Sequence, residues 1–134
     1  MPDAVVGSCP IGQYKATYFA NQTLSGAPAT ERCESAVDYD WGYGSPSGAN
    51  VGPDDFSVRW VGQQSFAAGT YTFTVTADDG VRVYLDGSLV IDQWKDQPPT
   101  SYTASRSVSA GDHTVSVEYY EHSEVAVARL TISP

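Results

Sequence analysis

From Thr70 to Thr76 the chain alternates without a break. Tyr71, Phe73 and Val75 fall on one side and the threonines on the other. A period of two is the signature of a strand with one buried face. Val81, Val83 and Leu85 repeat it, with Arg82, Tyr84 and Asp86 facing outward. Val115, Val117 and Tyr119 repeat it again, opposite Ser116, Glu118 and Tyr120, and Phe56, Val58 and Trp60 give a fourth case. Turn signals separate these runs. Asp79-Gly80 precedes Val81, Asp86-Gly87 precedes Leu89-Val90-Ile91, Ala68-Gly69 precedes Thr70 and Ala110-Gly111-Asp112 precedes another strand. Asp-Gly favours tight turns because glycine accepts positive φ without steric cost. The pattern predicts antiparallel strands from about Phe56 to Ile132, packed as an all-β antiparallel sandwich or flattened barrel. Two stretches break it. Trp41 to Asp55, with four glycines and two prolines, and Asp96 to Ser101, with Pro98 and Pro99, are expected to be long loops.

Composition narrows the class. Among 134 residues there are nine Tyr and three Trp, 12 Gly and 8 Pro, and only 17% charged residues. That balance suits strands and turns rather than helices. One domain over 13–134 is expected, led in by an N-terminal arm over 1–12. Met1 to Gly7 reads as the start of an excised module, and a parent protein with its own export signal is expected. Sixteen acids against seven bases give a net charge of −9. Such a surface repels phosphate backbones and lacks the Lys/Arg clusters of membrane-surface binders, and no apolar stretch is long enough to span a bilayer, so neither nucleic acid nor membrane insertion is expected. Cations and neutral ligands such as sugars remain. Cys9 and Cys33 sit in polar, turn-rich, extracellular-looking sequence and are expected to form a disulfide; the alternative is two separate buried thiols. A disulfide would pin the arm to a later segment and contribute roughly 3–4 kcal/mol in the chain-entropy model.

Catalysis finds little support in the residues. Glu118 and Glu121 are three apart, which on a strand places them on opposite faces and makes a poor acid/base pair. His113 and His122 have no neighbouring nucleophile pattern. The expectation is a non-enzyme. Trp60 belongs to the core, and Trp41 is expected to be structural. Trp94 and Tyr43 lie on or beside loops and are the candidates for stacking on a sugar ring. Asp38, Asp40 and Asp92 are expected to hold loop backbone.

Seven segments, taken in order, carry a resemblance. They are Tyr18-Phe19-Ala20-Asn21, Asp38 to Pro46, Phe56 to Trp60, Gly69 to Phe73, Asp78 to Gly87, Val90 to Trp94, and Glu118-Tyr119-Tyr120-Glu121. In order and spacing they resemble the protective-antigen-like (PA-fourteen) domain, found in bacterial glycosidases, adhesins and fungal flocculins, over about Gln13 to Ile132. The resemblance implies a β-sandwich that serves as a sugar-binding or adhesive module. It further implies that Asp78 and Asp79, joined by a cis peptide, hold a calcium ion that meets sugar hydroxyls. The residues themselves allow a second reading, in which Asp78-Asp79-Gly80 is a hairpin turn with its side chains capping backbone N–H groups. Where the lectin branch supplies an Asn, this chain reads Glu121-His122-Ser123-Glu124. Glu121, Ser123 and Glu124 are therefore the candidate ligands from the second loop. The expected function is a monomeric, calcium-assisted carbohydrate-binding module of a secreted or cell-surface protein. The alternative is a structural or protein-interaction module of such a protein.

Overall fold

The computed structural model describes residues 9–46, 48–123 and 125–134. Ten strands run in chain order: β1 Tyr14–Phe19, β2 Thr30–Glu34, β3 Asp38–Gly42, β4 Phe56–Phe66 and β5 Gly69–Asp78, then β6 Gly80–Leu85, β7 Ser88–Gln93, β8 Thr100–Val108, β9 Gly111–Glu121 and β10 Ala126–Ser133. Six form one sheet in the order β2-β1-β4-β9-β6-β7, and four form a second in the order β3-β10-β5-β8. The described pairings are antiparallel. The expected all-β sandwich is what forms. None of the described residues lies in a helix long and apolar enough to cross a membrane.

The alternation reads out as burial. Phe73, Val75 and Ala77 of β5 point inward, as do Val81 and Val83 of β6, Val115, Val117 and Tyr119 of β9, and Phe56, Val58 and Trp60 of β4. Trp60, Tyr18, Tyr119, Phe56 and Phe73 are the largest fully buried side chains. Trp41 stacks on Tyr39 with ring centroids 4.9 Å apart and meets Phe56 edge-on at 5.7 Å, so it is structural as expected. Cys9 and Cys33 form a disulfide, with Cα atoms 5.7 Å apart, tying the arm to β2.

The turn chemistry divides in two. Asp86-Gly87 closes the β6–β7 hairpin, with φ of 50° and 82° at the two loop residues. Positive φ at both central positions matches the right-handed strand twist, and glycine takes it without strain. Asp79-Gly80 is a different object, and the hairpin expectation there is corrected. β5 pairs with β10 and β8 in one sheet, whereas β6 pairs with β9 and β7 in the other. The Asp-Asp-Gly step is a crossover between sheets. Its glycine is required for space: a Cβ at Gly80 would lie 2.0 Å from the Tyr120 ring.

Candidate metal centre at the loop pole

The crossover carries Asp78 and Asp79 to one end of the sandwich. Sheet pairing brings a third acid to them. β9 lies between β4 and β6, with Phe56 opposite Glu121 and Gly80 opposite Tyr120. Asp79 N–H donates to the Tyr120 carbonyl at 3.1 Å. The last residue of β9 is thereby set beside the aspartate pair. One carboxylate oxygen from each of Asp78, Asp79 and Glu121 lies within 4.8 Å of the others, and all three side chains are buried. The Asp78–Asp79 peptide is cis, as the family resemblance implies.

Each aspartate is held by its surroundings. The Tyr119 hydroxyl donates to the Asp78 carbonyl at 2.5 Å. Asp79 Oδ2 accepts the His122 backbone N–H at 2.7 Å, and Oδ1 accepts that of Gln97 at 3.1 Å. Gln97 Nε2 also donates to the Asp79 carbonyl at 2.7 Å, and the Tyr102 hydroxyl donates to Gln97 Oε1. Buried Gln97 thus fastens the loop between β7 and β8 to the metal-binding candidate. Loop position and an uncharged amide gave no signal for it in the sequence.

Glu121 is held differently. It has no accessible surface, and neither of its carboxylate oxygens has a hydrogen-bond partner among the described residues. Burial, followed by the charges of Asp79 and Asp78, pushes its carboxyl up to about 10. A buried polar group without a donor is costly, and a buried carboxylate more so. Ionising it beside two aspartates in a poorly solvated site is unfavourable, which is why the carboxyl is held toward its neutral form. A divalent cation would offset both effects. The donor set is all oxygen and all carboxylate, which suits a hard cation of the calcium type. The residues present fit the ion that the family resemblance implies.

The rim is a network of aromatic and charged groups. Tyr120 donates its hydroxyl to Asp96 at 2.7 Å, and His122 Nδ1 meets the other Asp96 oxygen at 2.8 Å. Asp96 lowers as an acid through the Tyr120 and His122 hydrogen bonds, and His122 rises through its contact with Asp96. Trp94 leans on Tyr120 at 4.8 Å, and the Arg82 guanidinium lies 3.9 Å from the Trp94 ring centre. One face of this candidate stacking residue is therefore covered by Arg82. Tyr43 stands in the loop after β3 and is 74% exposed. Ser123 is exposed on the loop after β9. Glu124, the remaining second-loop candidate, lies outside the described residues. Glu118 faces away from Glu121 and pairs with Arg59 and Arg82, both at 3.0 Å. Asp40 accepts the Gly42 N–H at 3.1 Å, the backbone role expected of it.

Comparison with known proteins fits this architecture. A family model described as the PA14 domain matches residues 12–133. Among curated proteins, the anti-sigma-I factor RsgI3 of Acetivibrio thermocellus is 41% identical over 101 residues, which is 74% of this chain and 16% of that protein. The chain thus spans about a sixth of its curated relative. A solved anti-sigma factor domain-containing protein superposes with a TM-score of 0.84 at 36% identity, covering 92% of this chain and 43% of its own. A structure described as a PA14 sugar-binding domain from an RTX adhesin has a TM-score of 0.70 at 21% identity, covering 92% and 90%. The last likeness is one of fold.

Proposed function

The chain belongs to the PA14 domain family, and from that membership we propose that it is a non-catalytic, extracellular carbohydrate-binding module that holds calcium through Asp78 and Asp79. The observation that carries this reading is the convergence of Asp78, Asp79 and Glu121 in a buried cluster at the loop pole. The RTX adhesin domain of the same fold, described as sugar-binding, supports it by likeness. Bound calcium supplies coordination positions that sugar hydroxyls can fill. The chain's own residues do the rest. Gln97 and the His122 backbone orient Asp79. Exposed Tyr43 offers a ring face to the C–H surface of a pyranose. Trp94, braced between Arg82 and Tyr120, walls the neighbouring loop. Exposed Asp54, Asp55 and Asp96 give the rim a negative field that favours neutral sugars over acidic ones. The test is binding to a broad glycan panel in calcium and again in chelator. Retention of a glycan in calcium and its loss in chelator supports the reading. Silence across the panel in both conditions removes it.

A second reading rests on a separate observation, the likeness to anti-sigma factor proteins at 36% and 41% identity. In it the module is an interaction domain of a larger regulator, with a protein as its ligand. Capture of a specific protein partner that is indifferent to chelation favours this reading over the first.

A further inference from the structure

The two ends of the sandwich are built differently. β4 begins at Phe56, opposite Glu121 at the acidic pole, and ends at Phe66, opposite Gly111. At that far end the sheets leave a cavity of about 300 Å³ between them. Tyr14 and Phe66 line it from the six-stranded sheet, and Tyr71, Leu130 and Ile132 from the four-stranded one. Phe66, Tyr71, Leu130 and Ile132 are only partly buried, so apolar surface is left facing the opening. Phe66 and Tyr71 meet edge to face at 5.0 Å, and the Tyr71 hydroxyl donates to the Ala67 carbonyl at 2.8 Å, which fixes the corner they form.

Tyr14 is the unusual member. It is 7% exposed, yet its hydroxyl has no hydrogen-bond partner among the described residues. A phenol buried this deeply ordinarily finds one. Burial pushes it up to about 12, so at neutral pH it remains a donor. Gln64 supplies the complement. Its Nε2 donates to the Gln13 carbonyl at 3.3 Å, and its amide oxygen is left to accept. None of the lining residues is charged, in a chain of net charge −9. These features narrow the occupant. An ion of either sign would meet no opposite charge. A wholly apolar ligand would leave the phenol and the amide oxygen unpaired, at a cost. A neutral ring that carries hydroxyls on a C–H surface satisfies both. The volume lies at the lower end of the range of small-molecule sites, which suits one ring rather than a chain of them.

We propose that this cavity is a second, cation-independent site for one neutral sugar residue, with Tyr14 donating to it, Gln64 accepting from it and the Phe66–Tyr71 corner covering its C–H surface. The proposal rests on the carbohydrate reading above for the kind of ligand, and not on calcium. Sites at opposite poles would let one module hold two chains, or two points along one chain.

The experiment follows backbone amides by NMR as the labelled chain is titrated with glucose, galactose and xylose in chelator. At least one sugar should move the amides of Ser35, Gln64, Phe66 and Tyr71 saturably and leave those of Asp79 and His122 in place. Tyr14→Phe keeps the ring and removes only the unpartnered hydroxyl. It should bind that sugar roughly three- to tenfold more weakly, the range of one hydrogen bond. Ile132→Phe fills the cavity from the other sheet and should abolish the shifts, so the test survives a Tyr14→Phe chain that does not fold. Asp79→Asn should bind as wild type does in chelator. No saturable shift at the cavity with any of the three sugars overturns the proposal. So does a shift that glycerol reproduces at the same concentration, or equal binding by a folded Tyr14→Phe or Ile132→Phe chain. Shifts confined to Asp79 and His122 that need calcium overturn it too, and leave the calcium reading standing. Shifts at the cavity in chelator, with silence at the acidic pole in calcium, support this site and count against the other.

Discussion

Two buried glutamates in this molecule are treated in opposite ways. Glu34 ends β2 and is 8% exposed. It accepts hydrogen bonds from the Tyr18 hydroxyl at 2.7 Å, Trp60 Nε1 at 2.8 Å and Arg32 Nε at 2.6 Å. Burial alone would raise its pKa, but the donations from Tyr18, Trp60 and Arg32 outweigh it, and the group sits below its ordinary value. Glu121 is fully buried among acids and is raised. The difference lies in the neighbours and not in depth. Glu34 is provided with donors and locks Trp60, a core residue, to an edge strand. Glu121 is provided with none, and with Asp78 and Asp79 it forms a group that could hold a cation. A satisfied buried acid is structural, and an unsatisfied one points to a ligand.

The same substitution at the two positions gives the sharpest break. Glu34→Gln should cost about 3 kcal/mol, since it removes the charge that pairs with Arg32 and turns an NH2 group toward buried donors. In chelator, Glu121→Gln should cost nothing. Urea unfolding of both variants measures the contrast, and equal losses would dissolve it. The pH dependence of the Glu34 effect has a defined sign. A carboxyl depressed in the folded state contributes stability above its unfolded value of about 4.5, and that contribution is lost as pH falls through the folded value. The gap between wild type and Glu34→Gln should therefore narrow as pH is lowered from about 6 to about 3.

Gly80→Ala comes next in size. Its Cβ meets the Tyr120 ring, which must then leave Trp94 and Asp96. Overpacking of this kind costs about 2 kcal/mol, and it should move the Trp94 fluorescence spectrum, whereas a hairpin-type role for Gly80 would leave it in place. Gln97→Ala should cost about 1 kcal/mol in stability. It should also weaken calcium binding by less than Asp79→Asn does, because the Gln97 backbone N–H still reaches Asp79; calorimetry on both variants orders them.

The smallest effect lies at the opposite end of β9. His113 Nδ1 meets Asp86 at 2.5 Å and the ring also contacts the Ser109 carbonyl. Asp86 raises the histidine, and the histidine lowers Asp86. A raised histidine contributes stability below its unfolded value of about 6.5 and loses it as pH rises through the folded value. The lowered aspartate contributes above its unfolded value and loses it as pH falls. His113→Ala should therefore lower the melting temperature slightly at about pH 5 and less at about pH 9. An equal change at both would mean that the charge on His113 adds nothing to its contacts with Phe66 and Ser109.

Much of the fold was legible because burial of one strand face imposes a period of two. β4, β5, β6 and β9 announce themselves, and so does the β6–β7 turn, whose Asp86 and Gly87 must take positive φ. Asp79-Gly80 looks the same in sequence and is a crossover, because which sheet a strand joins is decided by pairing across the chain. The paired aspartates were legible as a motif, and Glu121 as one of three second-loop oxygens. That Glu121 alone among the described candidates turns inward depends on the end of β9 being set against Gly80 and Phe56. Gln97 and Glu34 were invisible for a related reason. Glu34 closes Thr30-Glu31-Arg32-Cys33-Glu34, a run in which charges alternate with nothing to mark one of them as buried.

The most direct test of the metal centre is a pair of thermal melts, in calcium and in chelator, for wild type and Asp79→Asn. A ligand that binds only the folded state stabilises it by about 2.7 kcal/mol at a hundred times its dissociation constant. The account predicts that calcium raises the wild-type melting temperature and leaves that of Asp79→Asn nearly unmoved. Coincident wild-type melts at millimolar calcium and in chelator would contradict it, and Asp78, Asp79 and Glu121 would then be a buried acidic cluster with no cation to hold.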